Sequence, residues 1–120
     1  MQKRILVVDD DAMNLNRTKR ILEKTYEVLV ADSGSKALDL LLYEEVDLIL
    51  LDIAMPDMDG LETFERMKEF HNEAPVIFLT ASGDEDDVMS AIRLGAVNYL
   101  KKPFYPQDLL QRIAKELDKK

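Results

Sequence analysis

The chain has 120 residues and a mass of 13.8 kDa, which is enough for one domain with a packed core. It contains no cysteine, which excludes a disulfide framework and a zinc–thiolate site. Its 16 basic and 24 acidic side chains give a net charge of −8, which argues against a general nucleic-acid or anionic-membrane surface and favours a divalent cation or a basic partner.

The amino terminus carries two basic residues before an apolar run, an order that also occurs in signal peptides. The run spans only residues 5–8 and ends in Asp9, Asp10 and Asp11. It is too short for a secretory core or a membrane span, so we expect a cytoplasmic protein. We interpret the run as a buried strand, and a helix with one apolar stripe should follow over residues 12–24.

The next stretch repeats the alternation of strand and helix. Residues 26–31 form a second predicted strand, and Ser33 or Ser35 can cap the helix that follows. The apolar run over residues 46–51 predicts a third strand. A run that is apolar throughout suits a strand covered on both faces, which is typical of parallel sheets.

The helix after the third strand has an apolar side chain at every third position and should end near Phe70. Its stripe consists of Met58, Leu61, Phe64 and Met67. Such a stripe indicates core packing rather than a cofactor site. His71, the only histidine, follows this helix and is interpreted as a surface residue rather than a phosphate carrier.

Two further strand–helix units complete the chain. Strands are predicted over residues 76–79 and 97–100, and the helix between them begins with the acidic residues 84–87 and ends at Gly95. We interpret these acids as capping and solubilising the helix start. A last helix begins after Pro106. The regular alternation predicts an α/β fold of the (βα)5 type, with a parallel sheet, right-handed crossovers and helices on both faces.

Polar side chains collect where the predicted strands end. Asp9 and Asp10 follow the first strand, Asp52 the third, Thr80 the fourth and Lys102 the fifth. The carboxyl ends of parallel strands share one edge, where ligands bind. Carboxylates brought together repel one another unless their pKa values rise or a cation binds, and Mg²⁺ suits such a site. A carboxylate nucleophile, a metal, a lysine and a hydroxyl together indicate phosphoryl transfer.

Four motifs in this order resemble the receiver domain of two-component response regulators. They are residues 7–10, residues 52–60, Thr80 with Ala81, and Tyr99 followed by residues 102–104. The resemblance covers essentially the whole chain, which would form one receiver domain over residues 1–120. It implies a flavodoxin-like, doubly wound sheet of five parallel strands in the order 2-1-3-4-5, as in chemotaxis regulators.

The resemblance also implies how the acidic residues would act. Asp52 would be the phosphoacceptor, taking the phosphoryl group from a sensor histidine kinase or a histidine phosphotransfer protein. Asp10, Asp52 and the backbone carbonyl of Ala54 would bind Mg²⁺, while Asp9 would act mainly through a metal-bound water. The domain would catalyse only its own phosphorylation and dephosphorylation, as a signalling switch rather than a metabolic enzyme.

The remaining motif residues would convert phosphorylation into a change of surface. By the same resemblance, Lys102 would hold a phosphoryl oxygen, next to a cis bond to Pro103. Thr80 would move inward to the phosphoryl group, and Tyr99 would follow from an outward to an inward rotamer. The fourth helix, fifth strand and fifth helix would repack and act on a downstream effector domain or protein. A phosphorylation-dependent homodimer stays open, and we expect this domain to bind neither nucleic acid nor membranes directly.

Several positions allow two interpretations. Asp11 either caps the first helix or tunes metal affinity, and we favour the cap. Tyr99 could be plain strand packing instead of a switch. Ala54 and Ser82, two positions after Asp52 and Thr80, are small, which leaves the lifetime of the phosphorylated state open.

Three other classes of protein are disfavoured. A phosphohydrolase of the haloacid dehalogenase type needs a second acid two residues after the nucleophile, where this chain has Ala54. A flavodoxin needs a first loop that accepts a flavin phosphate, which residues 9–11 would repel. A receiver-like module without phosphorylation would not need the full acidic set. Within the loop after Asp52, we expect Pro56 and Gly60 to shape the backbone.

Overall fold

The sheet is parallel throughout. A computed structural model describes residues 2–70, 73–80 and 85–118, and within these ranges five strands form one sheet in the order β2-β1-β3-β4-β5. The strands are β1 (Arg4–Val8), β2 (Glu27–Ala31), β3 (Leu48–Asp52), β4 (Val76–Thr80) and β5 (Asn98–Lys101). The helices are α1 (Ala12–Leu22), α2 (Gly34–Leu41), α3 (Gly60–Glu69), α4 (Glu85–Leu94) and α5 (Pro106–Asp118). The predicted (βα)5 fold and its strand order are therefore confirmed.

Two apolar clusters cover the two faces of the sheet. Alternate residues of the central strands point to opposite faces, so that Leu6 and Val8 join one cluster while Ile5 and Val7 join the other. The first cluster packs against α2, α3 and α4, and the second against α1 and α5. Strands β3 and β4 are buried along their whole length. Burial on both faces explains why the sequence of these strands is apolar without alternation.

The boundaries of several elements differ from the predicted ones. Helix α3 begins at Gly60, because Asp59 caps it by accepting a hydrogen bond from the N–H of Glu62 at 2.8 Å. Met58, which the apolar repeat placed on this helix, lies before the cap and packs against the first cluster from the loop. Helix α1 ends at Leu22, two residues early, and β3 begins at Leu48, two residues late.

The helix caps settle two choices that the sequence left open. Ser33 caps α2, since its hydroxyl accepts a hydrogen bond from the N–H of Lys36 at 3.1 Å. Asp11 caps α1 by accepting one from the N–H of Met13 at 3.0 Å. The favoured role of Asp11 as a cap is thus confirmed.

Some predictions fall outside the described ranges, namely those for His71, for Ala81 of the Thr80 motif, for Ser82 and for the first acid of the fourth helix, Asp84. Among the described residues, no helix combines the length and the apolar character that crossing a membrane requires.

Candidate functional site

Three carboxylates meet at the carboxyl edge of the sheet. Asp9 and Asp10 directly follow β1, and Asp52 is the last residue of the neighbouring strand β3. Each offers an oxygen within 4.8 Å of the others, as the paired register of β1 and β3 requires. Asp9 and Asp52 are only 1% and 5% exposed, whereas Asp10 is open to solvent. The structure therefore brings together the acids that the sequence pattern assigned to one edge.

Lys102 supplies the one positive charge found among the described residues of this cluster. It follows β5, and its ammonium Nζ lies 2.8 Å from Oδ2 of Asp9 and 3.4 Å from Oδ2 of Asp52. Its side chain is 15% exposed. The peptide bond that links it to Pro103 is cis, as the resemblance implied. Three carboxylates thus face one ammonium group, which leaves the pocket with an excess of negative charge.

The pKa of Asp52 reflects both the burial of its carboxyl and the charges around it. Burial and, to a lesser extent, the charge of Asp9 raise the pKa of its carboxyl to about 6, although Lys102 and a backbone hydrogen bond from Ala54 act in the opposite direction. For Lys102, burial lowers the pKa, but the hydrogen bond to Asp9 and the charges of both aspartates outweigh it, so that the pKa is raised. Lys102 therefore stays charged, and Asp52 binds a proton more readily than an exposed aspartate.

One acceptor atom in the pocket lacks a partner. Oδ1 of Asp52 is buried and accepts no hydrogen bond from the described part of the chain. Such an atom is costly unless a donor or a cation reaches it. The clustered oxygens of Asp9, Asp10 and Asp52, together with this unmet acceptor, fit a hard divalent cation such as Mg²⁺, which takes one or two carboxylates and keeps several waters.

The loop after Asp52 folds back tightly on the end of β3. A Cβ atom on Gly60 would lie 2.2 Å from the carbonyl oxygen of Asp52, and the N–H of Gly60 donates to the carbonyl of Ile53 at 2.8 Å. Asp57 has a φ of 68°, in the left-handed region. The sequence suggested that Gly60 shapes this loop, but the direct contact with Asp52 depends on a fold-back that residue spacing does not reveal.

Thr80 and Tyr99 lie on the same face of the sheet. Thr80 ends β4 and is 4% exposed, and it shares its face with Phe78 two positions earlier. Tyr99 pairs in register with Phe78 and is therefore on that face as well, the one covered by α4. Its side chain is 41% exposed on the edge strand β5. A buried hydroxyl at the carboxyl end of β4 and an exposed aromatic side chain on β5 thus share one face of the sheet.

Comparisons with known proteins agree with this geometry. The sequence matches the family described as the response regulator receiver domain over residues 5–114. It is 43% identical over 111 residues to the transcriptional regulatory protein CpxR of Escherichia coli (strain K12), a match that covers 92% of this chain and 47% of that protein. It is 34% identical to the chemotaxis protein CheY of Halobacterium salinarum, covering 95% of this chain and 96% of the relative.

A solved structure shows the same fold. The CheY-like receiver domain protein from Methanospirillum hungatei JF-1 superposes with a TM-score of 0.93 at 37% identity, covering 98% of this chain and 95% of that one. The chain belongs to the response regulator receiver domain family. Its fold is the flavodoxin-like, CheY-like arrangement, and membership of the family supports phosphorylation-dependent signalling. The chain spans about half the length of the transcriptional regulators it matches.

Proposed function

We propose that this chain is a phosphorylation-activated signalling switch that accepts a phosphoryl group on Asp52 from a sensor histidine kinase or a histidine phosphotransfer protein. The observation that carries the proposal is the state of Asp52, a buried carboxylate beside Lys102 and two further acids, one oxygen of which has no hydrogen-bond partner among the described residues. A carboxylate in this setting has a free atom to form a new bond. It also has a cation nearby to offset the charge that the bond brings.

The chemistry follows from the positions of these groups. An oxygen of Asp52 attacks the phosphorus of a phosphohistidine, and the bond from phosphorus to the imidazole nitrogen breaks with its electron pair left on that nitrogen. Lys102 already lies 3.4 Å from Asp52, so that it can hold a phosphoryl oxygen with little movement. Asp10, Asp52 and the backbone carbonyl of Ala54 would hold Mg²⁺, with Asp9 acting through a water. Bound there, the cation would neutralise charge on the phosphoryl oxygens.

A phosphoryl group on Asp52 would also drive a change of state. It brings a charge of about −2 and new acceptor oxygens to the buried side chain of Asp52. The Thr80 hydroxyl would move toward the phosphoryl group to donate a hydrogen bond to one of its oxygens, and Tyr99 would follow to an inward rotamer. The response would appear on the surface formed by α4, β5 and α5, which carries exposed apolar side chains suited to a protein partner. These are Met89, Ile92, Val97, Tyr99 and Tyr105.

The expected partners follow from this surface and from the charge of the chain. We propose that the receiver, over residues 1–120, acts on a downstream effector domain or protein and does not itself bind nucleic acid or membranes, since its net charge is −8. We place it in the cytoplasm, where a kinase can reach it. Its catalysis would be limited to its own phosphorylation and dephosphorylation, and a phosphorylation-dependent homodimer through α4, β5 and α5 is compatible with the same surface.

Labelling with a small phosphodonor tests the proposal. Wild-type protein incubated with acetyl phosphate should acquire a phosphoryl group only when Mg²⁺ is present, and Asp52→Asn should not. Asp57→Asn is the matched control, because Asp57 is an exposed acid of the same loop and asparagine tolerates its left-handed backbone. Equal labelling of wild type and Asp52→Asn would contradict the proposal.

A further inference from the structure

The strand that carries Tyr99 lies at the open edge of the sheet. In a parallel strand, alternate residues turn their peptide groups toward the same neighbour. The N–H of Lys102 donates to the carbonyl of Thr80 on β4 at 2.7 Å. The N–H and C=O of Tyr99, an odd number of positions away, therefore face the open side of β5, where no further strand of the described residues pairs with them. Exposed edge groups of this kind are free to bond to other chains.

Two side chains occupy this open side at Tyr99. The N–H of Tyr99 donates to Oδ1 of Asn98 at 2.8 Å. Nη1 of Arg112, on α5, donates to the carbonyl of Tyr99 at 3.0 Å and to Oδ1 of Asn98 at 2.7 Å. Both outward peptide groups of Tyr99 thus have partners, and a single guanidinium nitrogen joins them. The bond between Arg112 and Asn98 is partly buried, whereas the two bonds to the backbone of Tyr99 are exposed to solvent.

The contacts reach Tyr99 from the side opposite to its ring. Asn98 pairs in register with Ile77 and lies on the face of the sheet that packs against α5. The ring of Tyr99 lies on the face covered by α4. Arg112 therefore acts on the backbone of Tyr99, and through it on the direction of the bond from Cα to Cβ. If the backbone of Tyr99 is fixed, the two rotamers place the ring at two well-defined positions. If the edge strand moves, each rotamer covers a range of ring positions.

We propose that Arg112 and Asn98 form a clip that holds the backbone of Tyr99 and makes Arg112 a positioning residue for this side chain. The role in switching rests on the proposed function, but the clip itself does not, since its bonds are present in the unphosphorylated chain. Arg112 also connects α5 to β5, so that a movement of the Tyr99 backbone would act on α5 through the two hydrogen bonds of Arg112.

Amide hydrogen exchange of the unphosphorylated protein tests the clip directly. In Asn98→Ala and in Arg112→Met, which keeps an apolar stem but no donor, the amide of Tyr99 should exchange about five- to tenfold faster than in wild type, as the loss of one or two hydrogen bonds requires. The amide of Leu100, which faces β4, should keep its protection. Arg20→Met is the matched control, an exposed arginine on α1. Unchanged exchange at Tyr99 in both variants overturns the clip.

Beryllium fluoride with Mg²⁺, as a mimic of the phosphoryl group, tests the positioning role. Adding the mimic should change the NMR chemical shifts of the Tyr99 ring, and in Arg112→Met this change should be half of the wild-type change or less. Asn98→Asp keeps the hydrogen-bond acceptor and should respond like wild type. An undiminished shift in Arg112→Met overturns the positioning role even if the clip is present. A wild-type protein that does not respond contradicts the proposed function, and hydrogen exchange then decides on the clip alone.

Discussion

The ammonium group of Lys102 lies 2.8 Å from a carboxylate oxygen of Asp9, although 93 positions separate the two residues in the chain. The contact exists because β1 and β5 end at the same edge of the sheet, on either side of β3 and β4. Lys102 also reaches Asp52 at 3.4 Å, so that one cation offsets part of the charge of two buried acids. Its removal would leave both carboxylates without their main source of positive charge.

Replacement of Lys102 should therefore destabilise the fold. We expect Lys102→Met to lower the free energy of unfolding by about 3 kcal/mol near neutral pH, the usual cost of leaving buried charges unpaired. Urea denaturation measures the change. Lys101→Met is the matched control, because Lys101 is the exposed neighbour and should change stability by less than about 0.5 kcal/mol. Equal stabilities of the two variants would mean that Lys102 does not compensate the acids.

The pKa of Asp52 makes stability depend on pH. Because burial raises it from 3.8 to about 6, the folded chain binds the proton more tightly than the unfolded chain. The resulting stabilisation is complete below the unfolded pKa and is lost as the pH rises through about 6. Asp52→Asn lacks this titration, so its stability relative to wild type should increase by on the order of 2 kcal/mol between about pH 4 and pH 7 without divalent cations.

Denaturation curves across this range measure the effect. A difference in unfolding free energy between wild type and Asp52→Asn that stays constant with pH would show that Asp52 has an ordinary pKa. Adding Mg²⁺ at about pH 6 should release protons from wild type, because a carboxylate must be ionised to bind the metal. Asp52→Asn should release fewer.

The tight loop after β3 predicts an unequal response to two alanine substitutions. The Cβ atom of Gly60→Ala would meet the backbone of Asp52 and Ile53, neither of which can move without distorting the site. The Cβ atom of Gly34→Ala would lie 2.3 Å from Oγ1 of Thr63. The Thr63 side chain can rotate away, but it then loses its hydrogen bond to the carbonyl of Asp59. We expect Gly60→Ala to cost about 3 kcal/mol or more and Gly34→Ala about 1–2 kcal/mol, with phosphorylation impaired only in the former. A reversed order would contradict this reading of the loop.

Thr80 should be needed for the response rather than for the transfer. It is buried at the end of β4, on the face shared with Tyr99. We expect Thr80→Ala to accept a phosphoryl group to the same extent as wild type but to lose most of the change in the Tyr99 ring signal, measured by NMR. Thr80→Ser keeps the hydroxyl and should restore the response. A change in the Tyr99 ring signal that is as large in phosphorylated Thr80→Ala as in phosphorylated wild type would contradict the coupling.

Much of the fold and the acidic site could be predicted from sequence, for identifiable reasons. Strands buried on both faces contain an unbroken apolar run, which made β1, β3 and β4 recognisable, and every acid of the cluster comes directly after such a run or one residue later. The order of the strands came from the resemblance, since periodicity does not say which strands are neighbours. Met58 was misplaced because the apolar repeat of the helix continues past the cap at Asp59.

Two features depend on tertiary contacts that local patterns do not encode. The close approach of Gly60 to Asp52 requires the loop to fold back on β3. Arg112 has the sequence context of an ordinary solvated helix charge, and its bonds to Asn98 and Tyr99 follow only from the way α5 packs beside the edge strand. Gly60 and Arg112 both act by positioning other residues, and such a role leaves no characteristic pattern in the sequence.

Identification of the phosphorylated residue by peptide mass spectrometry tests the central proposal most directly. After reaction with acetyl phosphate and Mg²⁺, we expect one phosphoryl group per chain, on the peptide that contains Asp52, and none in the presence of a metal chelator. Asp52→Asn should leave that peptide unmodified, and Asp57→Asn should label like wild type. A phosphoryl group located on another residue of the wild-type chain, or none at all under conditions that label an established receiver domain, would contradict the account.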